Sequence, residues 1–64
     1  MRLTEFWRRM YLHFGEAYAE SFAQDHVMAE LDHRTVRQAL DAGWEAKDVW
    51  RAVCETQGVS AQLR

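Results

Sequence analysis

Leu3-Thr4-Glu5-Phe6-Trp7-Arg8-Arg9-Met10-Tyr11-Leu12-His13-Phe14-Gly15 is the stretch that decides the fold. Leu3, Phe6, Trp7, Met10 and Phe14 recur at helical spacing, while Glu5, Arg8, Arg9 and Leu12 point the other way. Tyr11 and His13 fall on the flanks. Thr4 can offer its hydroxyl to an orphan backbone N–H as an N-cap. Gly15 can adopt the left-handed conformation that stops a helix. The spacing therefore predicts a first helix over residues 5–14.

The same punctuation repeats downstream. The chain of 64 residues contains no proline, and its three glycines fall where helices would end. Residues 17–31 form a second segment with an ambiguous pattern. Tyr18, Phe22 and Ala29 share one face, whereas Val27 and Leu31 lie nearly opposite if the helix is continuous. A central helix buried on two sides competes with a break near Asp25; the continuous helix is the favoured reading. Glu16 and Glu20 suit its first turns by complementing the helix dipole.

After a connector at Leu31-Asp32-His33-Arg34, Thr35-Val36-Arg37-Gln38 has the form of a capping box. Val36, Ala39 and Leu40 face inward from a short third helix that Gly43 ends. Trp44 is the apolar residue that folds back after a glycine stop. A fourth helix runs from about Ala46 to Gln57, with Ala46, Val49, Trp50 and Val53 as its stripe and Cys54 on the margin. Arg51 and Glu55 read as an exposed i, i+4 pair. Gly58 ends this helix, Val59 can pack back onto Cys54, and residues 60–64 are expected to fray.

These segments predict an all-α fold: one domain over residues 1–59, a compact bundle of three to four short helices. The last two form a hairpin of helix-turn-helix type. The expected core is Phe6, Trp7, Met10, Phe14, Tyr18, Phe22, Val27, Leu31, Leu40, Val49, Trp50 and Val53. So small a domain buries only about 60% of its unfolded surface, so each large side chain counts. Three Trp, three Phe and two Tyr are a heavy aromatic load for this length. An aromatic core is the favoured explanation, and rings that meet a partner are the other.

Composition excludes several function classes. A net charge of −2 argues against non-specific nucleic-acid binding, which rests on neutralising phosphates. The charge is unevenly spread: residues 15–33 sum to −5 through Glu16, Glu20, Asp25, Glu30 and Asp32, while residues 1–14 sum to +2. The single cysteine, Cys54, cannot form an internal disulfide. With no signal-peptide pattern and no membrane-length apolar run, a cytoplasmic chain without membrane association is expected.

Catalytic and metal chemistry is not expected either. There is no GxSxG, P-loop or HExxH motif. His26, His33 and Cys54 lack the paired short spacing of zinc ligands. In Asp25-His26 and Asp32-His33, adjacent residues on a helix do not face each other, so neither pair reads as a general base. No cofactor is expected.

Two patterns carry function. Gln38-Ala39-Leu40-Asp41-Ala42-Gly43-Trp44 followed by Val49 has helix-turn-helix spacing: a small contact residue, a glycine four positions on, and an apolar residue six after it. In that reading Lys47 and Arg51 reach DNA from the last helix, and Arg34 and Arg37 grip phosphate. Glu45, Asp48 and Glu55 cancel the charge of that helix, Trp50 has no obvious task at a groove, and a packing hairpin uses the same spacing. The other pattern is a partner surface, with Leu12 among Arg8, Arg9 and Glu5, flanked by Tyr11 and a partly exposed Trp44. An apolar patch with a charged rim suits an anchor for a protein partner or a second copy of the chain. This is the preferred function, a binding or regulatory role, with DNA recognition as the alternative.

The blocks Met1-Arg2-Leu3-Thr4-Glu5-Phe6, Phe14-Gly15 with Ala17-Tyr18-Ala19, Asp25-His26-Val27, Arg34-Thr35, Ala39-Leu40 with Gly43, and Val49-Trp50-Arg51-Ala52-Val53-Cys54 resemble the small bacterial proteins of domain-of-unknown-function family 3046. The resemblance spans about residues 1–59. It implies a short cytoplasmic protein of high-GC Gram-positive bacteria with no established activity. Genes of such proteins often lie near those for RecA and its regulator RecX, which implies a link to DNA repair or recombination and identifies no residue. Asp32-His33 replaces a more glycine-rich connector, and Ala46 stands where a helix-starting proline is common.

Overall fold

A computed structural model describes residues 1–59, so the tail expected to fray at 60–64 lies outside the described residues. The chain folds as α1 (Leu3–Phe14), α2 (Glu16–Asp25), a 3₁₀ turn (Ala29–Leu31), α3 (Val36–Asp41) and α4 (Ala46–Gln57). This is an all-α bundle, with no strand among the described residues beyond one isolated antiparallel bridge between Met28 and Arg34. The Cα radius of gyration is 10.4 Å, close to the ~11 Å expected for a compact chain of this length.

α1 begins two residues earlier than the spacing predicts. Arg2, not Thr4, is its N-cap, and no side chain caps it. Glu5 lies in the first turn, where its charge complements the dipole. Gly15 both ends α1 and starts α2: its N–H donates to the Tyr11 carbonyl, and its own carbonyl accepts from Ala19, both at 2.9 Å. Its backbone sits at φ 86°, ψ 152°, beyond the left-handed helical basin and in a region open essentially to glycine alone. That conformation turns the chain back within one residue, and α1 and α2 pack on each other more extensively than any other pair of elements.

The continuous second helix is not formed. α2 ends at Asp25, and His26 (φ −86°, ψ 110°) and Met28 (φ −122°, ψ 129°) are extended. A straight helix would hold Leu31 opposite Phe22, away from the core that α1 and α4 build. The break instead turns Met28 and Leu31 into it, 2% and 0% exposed. It is held by hydrogen bonds from Met28 N–H to the Arg34 carbonyl and from Leu31 and His33 N–H to the Met28 carbonyl. Two expected core residues lie outside the core: Val27, which the break turns out to 56% exposure, and Tyr18, 59% exposed on the outer side of α2. The connector reverses through Asp32 and His33, both at φ 60°. These are the two positions where the resemblance implied more glycine.

In the second half of the chain the capping box and the glycine stops form where the spacing predicts them. The Thr35 hydroxyl accepts from Gln38 N–H at 3.1 Å, and the Gln38 side-chain carbonyl accepts from Thr35 N–H at 3.0 Å, completing the capping box. α3 closes with paired bonds from Gly43 N–H to the Leu40 carbonyl and from Trp44 N–H to the Ala39 carbonyl. This is the Schellman arrangement, with Gly43 at φ 97°. Trp44 is thereby laid back, half-buried, against the core. Gly58, at φ 61°, ends α4 in the left-handed conformation, and Val59 returns to the same buried cluster as Cys54.

The core combines Phe6, Met10, Leu31, Val36, Val49 and Val53, all fully buried, with Ala19, Ala23 and Ala39 where elements approach closely. Trp50 is 3% exposed and meets Phe6 edge-on at 6.1 Å; it is a core residue. Phe14 stacks on Phe22 at 4.6 Å, and Phe22 on His26 at 4.7 Å. Trp7, Phe14 and Leu40, expected inside, pack against the core from its margin. The aromatic load is therefore shared between the core and its edge.

Candidate functional surface

Three neighbouring hollows occupy the side of the bundle where α1 meets α3 and α4. One, of about 480 Å³, is lined by Leu3, Thr4, Trp7, Arg8 and Tyr11. A second, also about 480 Å³, is formed by Met1, Leu3, Leu40, Trp44, Glu45, Ala46 and Lys47. Leu3 belongs to both, so the two adjoin at its side chain. α1 places Leu3, Trp7 and Tyr11 at i, i+4 and i+8, a row beside the buried Phe6 and Met10. The Schellman turn delivers Trp44 from the other side. Leu3 is 50% exposed although it lies in the apolar stripe read from the sequence.

The surroundings of this row are polar and ordered. Arg37 of α3 lies over the Trp7 ring, 4.7 Å from its centroid, a cation–π contact that covers one face of the indole. The Tyr11 hydroxyl donates to the Glu20 carboxylate of α2 at 3.3 Å. Burial, together with the nearby Glu20 charge, raises the Tyr11 pKa above its ordinary value. Glu5 accepts from Arg8 and Arg9 at 2.6–2.8 Å. These two guanidinium groups hold its carboxyl at about 2, well below the ordinary carboxylate range.

The third hollow, of about 320 Å³, lies between α1 and α4 and touches the second at Met1 and Lys47. Arg9, Lys47, Arg51 and Glu55 stand around it, above Trp50 and Cys54.

The structure thus redistributes the residues singled out by sequence. Of Arg8, Arg9, Tyr11, Leu12 and Trp44, it places Arg8 and Tyr11 in one of the two hollows that adjoin at Leu3 and Trp44 in the other. Leu12, 59% exposed, lines none of these hollows, and Arg9 belongs to the charged one. Leu3, Trp7 and Leu40, which the periodicity places on inward stripes, instead form the middle of the surface. The signal was available in the i, i+4, i+8 row, which was wider than one buried stripe needs.

The DNA-contact set also divides. Lys47 and Arg51 share one pocket on α4, Arg37 lies on Trp7, and Arg34 sits on the connector. Arg34 is 3.4 Å from Asp32, Lys47 3.7 Å from Glu45, and Arg51 3.8 Å from Asp48. Arg51 thus pairs with Asp48 and not with Glu55 as the spacing suggested.

Among the described residues no group of three or more His, Cys, Asp or Glu is placed to hold a metal ion. None of their helices is long and apolar enough to cross a membrane. No curated protein and no solved structure matches the chain. Residues 1–62 match the model of a family described as "Protein of unknown function (DUF3046)", and the chain belongs to that family.

Proposed function

We propose that this member of a family without assigned function is a non-catalytic protein-binding module that seats an apolar segment of a partner protein on the Leu3–Trp7–Tyr11 row. The observation that carries this reading is the half-exposed Leu3 at the junction of two hollows, with Trp7 and Tyr11 on one side and Leu40 and Trp44 on the other. Partly buried tryptophans held by a rigid frame are good anchors, because little conformational freedom is lost when a partner covers them. Arg8, Arg37 and Lys47 outnumber Glu45 at the edge, which favours a partner with acidic residues flanking its apolar ones. A two-fold pairing of this chain with itself through the same patch would bring like-charged rims together, which favours a different partner over a second copy.

A photo-crosslinking amino acid at position 3, compared with one at position 12, tests the reading in native cell extract. Adducts with one protein species from position 3, absent from position 12 and lost on Trp44→Ala, are expected. Adducts with the chain itself would assign the patch to self-association. The absence of a specific adduct at position 3 would remove the proposal.

DNA recognition by the α3–α4 hairpin is the second reading. What favours it is that Lys47 and Arg51 are both exposed on α4, and that Trp50 is turned into the core and clear of the outer face. The acidic neighbours Glu45 and Asp48 weigh against it, since they offset the attraction to phosphate. Salt-sensitive duplex binding by fluorescence polarisation, reduced in Arg51→Gln, would favour this reading over the first.

A further inference from the structure

We propose that Arg37 sets which partner segment the Leu3–Trp7–Tyr11 row accepts, by pairing with an aspartate or glutamate side chain beside the segment's apolar anchor. The inference rests on the row being a binding surface, and goes further by naming the group that reads the partner's charge. Three cations stand near the row, and their own partners tell them apart. Arg8 is tied to Glu5 by two hydrogen bonds at 2.8 and 2.7 Å. Lys47 lies 3.7 Å from Glu45. Arg37 is exposed on α3, with its guanidinium 4.7 Å from the centroid of the Trp7 ring. It forms no ion pair with a carboxylate among the described residues. Glu20 approaches the row from α2, but its carboxylate accepts from the Tyr11 hydroxyl at 3.3 Å.

The placement suits the role. The face of an indole supplies no acceptor oxygen, so the N–H donors of Arg37 keep their capacity for a carboxylate. Arg37 lies within the Thr35–Gln38 capping box, which fixes the start of α3. The ring beneath it restrains the side chain, so less rotamer freedom is lost when a partner binds. Trp7 and Tyr11 are partly buried, their ring centroids 5.9 Å apart. An apolar side chain seated on them would exclude water beside the guanidinium. A carboxylate arriving there makes a charge-assisted, bidentate contact, which is stronger than an exposed ion pair. A lysine or arginine at the same place meets an unneutralised like charge and is rejected.

The test is display selection of random peptides on the immobilised full chain, followed by fluorescence polarisation of the best peptide. The expected consensus sets an aspartate or glutamate beside an apolar residue. Selection on Arg37→Gln, a change at an exposed position, should lose the acidic residue and keep the apolar one. For the selected peptide, Arg37→Gln and the peptide's own carboxylate-to-amide change should each weaken binding about tenfold, and the two together no more than either alone. Arg37→Lys, which keeps the charge without the planar fork, should fall between. Arg8→Gln should change the affinity by less than about twofold. An apolar consensus with no acidic position, or an acidic one indifferent to Arg37→Gln, overturns the role of Arg37 and leaves the row as a binding surface. No consensus, or one that survives both Leu3→Asp and Trp44→Ala, removes both. Displacement of the peptide by a DNA duplex that Arg37→Gln no longer binds would overturn the pairing by giving this cation to phosphate.

Discussion

Replacing Met28 with alanine tests the feature of the fold least expected from the sequence, the break after Asp25. Met28 is 2% exposed and reaches the core only because the chain is extended there; Val27, its neighbour, is 56% exposed. Met→Ala at a buried site costs ~2–5 kcal/mol through lost transfer energy and the cavity left behind. The backbone bonds made by Met28 survive in alanine, so the cost is that of the side chain, about 3 kcal/mol. A domain of this size has only ~3–10 kcal/mol in total. The variant should therefore melt about 12–24 °C lower, and its urea midpoint should fall by about 2–3 M with an unchanged slope. Val27→Ala should stay within about 0.5 kcal/mol of the parent. Circular dichroism at 222 nm, followed through heat and urea, measures both. If Val27→Ala proves the costlier change, the helix continues past Asp25 and the chain is not broken there.

Gly15→Ala should destabilise by about 1–3 kcal/mol although an added Cβ meets nothing within 4 Å, because the cost is conformational; a neutral thermal melt would contradict that. His33→Gly should stabilise by about 0.5 kcal/mol, since φ 60° costs a side chain more than glycine loses in entropy; a lower melting temperature would refute it. The Glu5 carboxyl should titrate near 2 by ¹³C NMR and return toward its ordinary value of 4.5 in Arg8→Ala. Because its pKa is depressed on folding, the stability it contributes is present above the unfolded value and lost as pH falls from about 4.5 through about 2. An ordinary carboxylate titration in the parent would remove the pairing.

The sequence by itself determined the parts of this protein whose causes are local. Glycine at 15, 43 and 58, the Thr35–Gln38 capping box and the apolar residue after Gly43 each act within a few residues. Their consequences, from the ends of α1, α3 and α4 to the folded-back Trp44, could be read directly. Only the tertiary structure decided what depends on competition between distant elements. Leu31 and Met28 enter the core because α1 and α4 leave space for them, and this outweighs the helical continuity suggested by residues 17–31. Leu3 is left half-exposed, and Trp7 and Tyr11 only partly buried, because α2, α3 and α4 pack over Phe6 and Met10. Arg9 joins Lys47 and Arg51 because packing of α1 on α4 sets side chains about forty residues apart around one pocket, a proximity that spacing along the chain cannot encode.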